Sequence, residues 1–357
     1  MFRPGPRNLI TDIAGLTVGH ANDESARSGV TVLTCGAAWS AGVDVRGGGP
    51  GGRETDALSP ENLVGRAHAV VLAGGSVFGL AAADGVAAAL SVKGIGLQLR
   101  PGSPRIPIVP AAVLHDLGNG GDKDWGLAPP YRHLGIRALD AAGSDFALGS
   151  VGAGRGAMAG LIKGGIGSAS LDLGDGLIVG ALAALNSVGS ALMPDGKTYW
   201  AWAFELEREF GGAGAPREPM DSSDPAPDES RLMALGRLQA GANTTLGVVA
   251  CNADLTTVEC KRVAMMAQDG IARAVRPAHT PFDGDTIFAL ASAAVELSGG
   301  QQRAAHIGRI GSAAADCLSR AIARAVHFSD PSRHGDPSRH GDPSRHGDPS
   351  RHQPPKA

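Results

Sequence analysis

The sequence predicts an α/β protein, and three observations carry that prediction. Apolar, strand-like runs alternate with alanine-rich, helix-like stretches along most of the chain. At 357 residues the length suffices for one large domain or two ordinary ones with a buried core. Aromatics are only 4% of residues while glycine numbers 53, so the core relies on small side chains and close backbone contacts.

Taken in order, Gly29 to Thr34 reads as a strand, and so does Ala69 to Ala73. The turn Gly74-Gly75-Ser76 leads into a helix from Leu80 to Leu90. Leu177 to Ala181 is a further strand, and Leu246 to Cys251 is an apolar run of the same kind. From Thr256 to Val275 the apolar residues Val258, Val263, Met266, Ile271 and Val275 recur at helical intervals, which predicts one long helix. Thr256 or Thr257 caps it, with Glu259 in its first turn. Leu290 to Leu297 and Ile310 to Val326 read as two more helices.

Gly211 to Ser230 is rich in Gly, Pro, Asp and Ser and reads as an exposed loop. The C-terminal stretch repeats Asp-Pro-Ser-Arg-His-Gly from Asp330 to Gly347, with a degenerate copy at Asp348 to Gln353. Its lack of apolar residues leaves nothing to offset the entropy of ordering, so 329–357 is expected to be a disordered tail. Its histidines (His334, His340, His346 and His352) lack the fixed geometry of a metal site.

Formal charge is −3 without a basic block, which argues against nucleic acid as a partner. Cys35, Cys251, Cys260 and Cys317 show neither metal-ligand spacing nor a disulfide framework and read as buried thiols. The first residues lack an apolar signal core, and no uninterrupted apolar run reaches about 18 residues. A soluble, cytoplasmic protein without metal or organic cofactor is expected.

Two short motifs carry chemistry. Asn243-Thr244-Thr245-Leu246 places a β-branched hydroxyl at the mouth of the Leu246 to Cys251 run. Pro281-Phe282-Asp283-Gly284-Asp285-Thr286 puts two carboxylates one residue apart at a turn. A threonine that cuts its own chain and then attacks substrates needs such a hydroxyl with acidic groups nearby. Cleavage before Thr244 would free an α-amine, unperturbed pKa about 7.7–8.0, able to act as base for its own hydroxyl. Each motif also has a plain structural reading, a loop entering a strand and a tight turn. Gly152-Ala153-Gly154-Arg155-Gly156-Ala157 matches a dinucleotide fingerprint, with Asp172 near the distance of a ribose-binding acid. The stretch Leu161 to Ser170 is too glycine-broken for the helix that site needs.

With these motifs together, the chain resembles the DmpA-type aminopeptidases (L-aminopeptidase/D-amidase, β-aminopeptidase), which include the nylon-oligomer hydrolases. The resemblance runs through Asn8-Leu9-Ile10-Thr11-Asp12, Val18-Gly19-His20, Gly42-Val43-Asp44-Val45-Arg46-Gly47-Gly48 and Arg53-Glu54-Thr55-Asp56. It continues through Leu72-Ala73-Gly74-Gly75-Ser76-Val77-Phe78-Gly79-Leu80 and Ile108-Val109-Pro110-Ala111-Ala112-Val113. It closes on Asn243-Thr244-Thr245-Leu246 and His279-Thr280-Pro281-Phe282-Asp283-Gly284-Asp285.

That resemblance implies an αββα four-layer sandwich, similar to the Ntn hydrolases in layout but different in connectivity. It implies one self-processing domain over 1–328, cut between Asn243 and Thr244 into an α chain (1–243) and a β chain beginning at 244. Thr244 is then the nucleophile, and Asn186 matches the position whose amide donates to the oxyanion. Lys163 matches a lysine beside the nucleophile in the nylon-hydrolase branch, where its charge keeps the Thr244 amine neutral and basic. Asp283 and Asp285 match the acidic pair. His115 stands where some members carry tyrosine, a second oxyanion donor. The implied activity is hydrolysis of short peptides or amino-acid amides through an acyl-enzyme, by a homo-oligomer. Endo-hydrolysis of 6-aminohexanoate oligomers and acyl transfer of the ornithine acetyltransferase type are the alternatives, with a non-enzymatic binding protein behind them.

Overall fold

The computed structural model describes residues 2–217, 224–228, 230–232 and 243–333. In chain order its strands are β1 (Thr17–Asp23), β2 (Ser28–Val45), β3 (Gly52–Arg53), β4 (Arg66–Ala73), β5 (Ala111–Val113), β6 (Met158–Ala159), β7 (Ile162–Lys163), β8 (Gly165–Asp172), β9 (Ile178–Asn186), β10 (Thr244–Ala253) and β11 (Thr286–Val295). The helices are α1 (Ala81–Val92), α2 (Tyr131–Asp140), α3 (Thr257–Ala267), α4 (Asp269–Ala274) and α5 (Gly300–Ser329).

Nine strands form one hydrogen-bonded path in the order β3-β5-β4-β2-β11-β10-β9-β8, with β1 added to β2. The long strand β2 is the hinge of that path. Its first part pairs with β1 and β4, its last part pairs with β11, and the register to β4 slips between Thr34 and Trp39. The sheet thus folds back on itself and presents two facing halves.

The period-two alternation of strands then sorts side chains into layers. Leu33, Val70 and Leu72 from one half meet Leu182, Ala184, Leu246, Val248, Phe288 and Leu290 from the other in a core between the halves. The opposite faces are covered by helices. Val30, Val32, Val71 and Val113 pack with Val86, Leu90 and Leu134 of α1 and α2. Val179, Ala181, Ala183, Val249 and Ile287 pack with Val263, Leu318 and Ile322 of α3 and α5. Helices, sheet, sheet and helices make the expected αββα sandwich.

Small residues let these layers close. A Cβ on Gly167 of β8 would lie 1.8 Å from the Ala321 carbonyl oxygen of α5, so only glycine admits the helix there. The glycine-rich composition therefore reflects close helix–sheet contact, as the sequence indicated.

Three elements differ from expectation. Leu290 to Leu297 is not a helix, because Thr286–Val295 is strand β11 between β2 and β10. Alanine-rich apolar runs carry no decisive period, and two flanking strands decide the matter by pairing. The helix from Thr256 breaks after Ala267 into α3 and α4, although Thr256 does cap it in a capping box with Glu259. Helix α5 begins ten residues before Ile310 and runs to Ser329. Gly152–Gly154 is a single 3-10 turn followed by short strands, so the dinucleotide fingerprint lacks its helix. The histidine repeat from His334 onward, and parts of the Gly211 to Ser230 loop, lie outside the described residues.

Candidate active site

Antiparallel pairing of β9 with β10 sets Thr244 directly across from Asn186 at the end of the inner layer. Thr244 lies on the same strand face as Leu246 and Val248, the face turned to the other half-sheet. Only 1% of its surface is exposed. Its Oγ1 hydroxyl donates to the Asn243 carbonyl oxygen, across the peptide bond that joins the two residues. The same carbonyl oxygen accepts the Gly284 N–H at 2.9 Å. Asn243 forms a parallel bridge with Asp283, which brings the acidic turn alongside.

Gly284 has a steric reason to be glycine. A Cβ there would sit 2.8 Å from Thr244 Oγ1 and 2.7 Å from the Gly49 carbonyl oxygen. The turn can therefore press its backbone amide against the Asn243 carbonyl only without a side chain.

Asn186 is fully buried and held at both ends. Its Oδ1 accepts the Met158 N–H at 2.9 Å, and its Nδ2 donates to the His115 carbonyl oxygen at 3.1 Å. A primary amide carries two N–H bonds, so one remains for another acceptor.

The carboxylates have different surroundings. Asp283 accepts the Val188 N–H at 3.1 Å, the Thr280 N–H at 2.9 Å and the Thr280 hydroxyl at 2.6 Å. Asp285 accepts the Thr245 N–H at 2.6 Å and contacts His279 Nδ1 at 2.7 Å. Burial, and then the neighbouring Asp285 charge, push Asp283 up to about 6. His279 reaches Asp285 from the left-handed region, at φ 54°, where a non-glycine residue carries strain.

The comparisons with known proteins bear on this geometry. The model of peptidase family S58 matches residues 8–336. An uncharacterized aminopeptidase of Mycobacterium leprae is 45% identical over 343 residues, covering 90% of each chain. One from Mycobacterium tuberculosis is 42% identical over 339 residues, covering 91% of this chain and 95% of its own. The chain belongs to peptidase family S58.

More distant is the 6-aminohexanoate-oligomer endohydrolase of a Kocuria species, 29% identical over 303 residues, 82% of this chain and 77% of that one. Among solved structures, a Burkholderia β-aminopeptidase superposes with a TM-score of 0.65 at 24% identity, covering 91% of this chain and 88% of that one. The L-aminopeptidase D-Ala-esterase/amidase of Ochrobactrum anthropi, described as a variant of the Ntn hydrolase fold, gives 0.63 at 20% identity, covering 92% and 88%. At those identities the structures speak for the fold, which agrees with the four layers.

Within this S58 fold the six residues singled out from sequence do not all converge. Thr244, Asn186, Asp283 and Asp285 meet at one end of β9, β10 and β11. His115 reaches the cluster through its backbone carbonyl, not through a hydrogen bond from its ring, which is partly exposed. Lys163 lies opposite Met158 in the β6–β7 hairpin, with an exposed side chain bordering a cleft lined by Val326, Ser329, Asp330 and Arg333.

Sequence reasoning missed four contributors. The Gly284 amide is a backbone group with no letter of its own. His279 and Thr280 stand in the quoted motif, and the Thr-x-x-Asp spacing to Asp283 was a usable turn signal. Arg231 lies one residue beyond the Gly211 to Ser230 loop and carries no motif, and its Nη2 donates to the Met158 and Ser187 carbonyls. Among the described residues no group of three or more His, Cys, Asp or Glu is arranged to hold a metal, and no helix is long and apolar enough to cross a membrane. All four cysteines are free and buried.

Proposed function

We propose that this S58 peptidase is a self-processing threonine hydrolase of amide bonds. The observation that carries the reading is the Thr244 hydroxyl against the Asn243 carbonyl, whose oxygen already takes the Gly284 N–H.

In processing, Thr244 Oγ1 attacks the Asn243 carbonyl carbon and gives up its proton. The Gly284 N–H stabilises negative charge on the carbonyl oxygen, the C–N bond breaks, and the nitrogen takes up a proton as the Thr244 amine. Water then hydrolyses the ester to the Asn243 carboxylate. Removing one such oxyanion donor typically costs about 10²–10³ in rate. Both side-chain ends of Asn243 are buried without hydrogen-bond partners. Leaving such groups unpaired costs about 1–3 kcal/mol, which cleavage would relieve.

In turnover, the freed amine takes the Thr244 hydroxyl proton, and Oγ1 attacks the substrate carbonyl. The second Asn186 N–H donates to the oxyanion. The amine leaving group departs with a proton, and water releases the acyl group. Asp285 holds the Thr245 amide and Asp283 the Val188 amide, so both strands at the site are anchored by carboxylates. Lys163 is exposed on the neighbouring hairpin, so solvent screens its charge and it adds little at the buried Thr244 amine. The α fragment (1–243) and β fragment (from 244) stay paired through β9 and β10, in a homo-oligomer working in the cytoplasm.

Short peptides and amino-acid amides are the substrate class, on the aminopeptidase descriptions of the mycobacterial relatives. Endo-hydrolysis of 6-aminohexanoate oligomers is the second reading, favoured by the 29% identical endohydrolase. Intact mass spectrometry beside Thr244→Ala tests the reading. Two fragments with a new Thr244 terminus, absent from the variant, are expected. A single full-length mass in both would refute it.

A further inference from the structure

We propose that Arg231 is a positioning residue of this site, aligning the oxyanion donor Asn186 by gripping both chain segments that flank it. The inference rests on the reading of Asn186 above. Arg231 Nη2 donates to the Met158 carbonyl at 3.0 Å and to the Ser187 carbonyl at 2.9 Å. Met158 is the residue whose N–H holds Asn186 Oδ1, and Ser187 directly follows Asn186. One terminal nitrogen thus ties the anchor of the Asn186 amide to the backbone that carries it.

The grip extends to the acidic pair. The Arg231 backbone N–H donates to the Val188 carbonyl at 2.9 Å, and the Val188 N–H donates to Asp283 Oδ1 at 3.1 Å. Arg231 also lies within electrostatic reach of Asp283. Asn186 and Asp283, distant in sequence, are therefore set relative to one another through a single side chain and its own backbone.

Energetics argue against a role as simple loop anchor. Burial lowers the Arg231 guanidinium to about 10, and its Nε is buried without a partner. Its hydrogen-bond acceptors are neutral carbonyls. A desolvated cation of this kind adds little to stability compared with an apolar side chain of similar volume. What it supplies is direction, two N–H bonds from one planar group to two carbonyls. Arg231 and Asn186 both precede the Asn243–Thr244 bond, so the contact is retained in the cut protein.

The test is a double-mutant cycle on cleaved enzyme, with turnover of an amino-acid amide and melting temperature as readouts. Arg231→Met is expected to lower kcat about tenfold to a hundredfold, the scale on which small misplacements act, with KM changed less than about threefold. Arg231→Lys, which keeps the charge and donors but not the planar pair, should recover only part of that loss. In an Asn186→Ala background, Arg231→Met should cost no more than about threefold further, because the donor it aligns is gone. If the methionine variant melts near the assay temperature, Arg231→Gln takes its place in the cycle. Full multiplication of the two losses, or a change in KM alone, would overturn the role of Arg231 and leave the threonine mechanism standing. Wild-type turnover in Asn186→Ala would overturn the Asn186 donor and, with it, the role of Arg231.

Discussion

Two buried polar clusters in this molecule are built on opposite terms. Around Arg320 of α5 a cation and a carboxylate face each other within a set of neutral partners. Its guanidinium donates to Glu209 at 3.0 Å, to Asn8 Oδ1 at 2.8 Å and to the Ser170 carbonyl at 2.8 Å, and Asn8 Nδ2 donates to Glu209 at 2.6 Å. Around Thr244 two carboxylates stand together instead, and Asp283 is held up to about 6 by burial and by its neighbour. The first arrangement joins the N-terminal segment, β8, the Glu209 turn and α5. The second keeps like charges close beside a hydroxyl, at a cost in stability, as sites of acid–base chemistry do. Cohesion and reactivity are thus assigned to different ends of one sheet.

That contrast breaks most sharply at Thr244. Thr244→Ala should abolish cleavage and turnover together while leaving the melting temperature close to that of the uncut chain, and a cut, active variant would remove Thr244 from the mechanism. At the other cluster, Arg320→Ala removes the closer guanidinium partner of Glu209, which keeps Asn8 and the longer Arg324 contact, and is expected to destabilise by about 3 kcal/mol, read by urea unfolding. The molecules that remain folded should still cleave at Asn243–Thr244, and a stable but uncut Arg320→Ala protein would erase the division. Asn186→Ala should slow turnover about 10²–10³-fold, measured as kcat, and destabilise by about 1–3 kcal/mol, since the Met158 N–H and the His115 carbonyl lose their partner.

The mildest perturbation is pH. Asp283 loses its proton only as pH rises through about 6, above the ordinary carboxylate range. With its ionised form holding the Val188 and Thr280 amides, kcat/KM rises about a hundredfold per pH unit below about 6, where Asp283 and the Thr244 amine both lose protons, then about tenfold per unit until the amine is neutral. A limb near pH 4 would assign the titration to a more exposed acid.

The Thr244 and Asp283–Asp285 motifs were legible because their residues are adjacent in the chain and their side chains are the chemistry. Asn186 and Lys163 came through family resemblance alone, since nothing in Leu185-Asn186-Ser187 marks an active residue. The structure sets Asn186 at the center of the cluster and leaves Lys163 on the exposed edge of a hairpin. Arg231, one residue beyond the Gly211 to Ser230 loop, gave no signal, because a lone cation looks solvated until its partners are known. Strand β11 was misread for a related reason. Thr286–Val295 is apolar on both faces over much of its length, so no period separates strand from helix.

The sequence by itself determined the layer chemistry of this protein: small residues for close packing, a hydroxyl before a strand, paired acids at a turn. These follow from composition and local spacing, which are properties of the chain alone. The tertiary structure alone decided that Thr244 faces Asn186, that the Gly284 amide meets the Asn243 carbonyl, and that Arg231 spans Met158 and Ser187. Those contacts are set by strand register and by backbone groups, and neither is written in any one residue's identity.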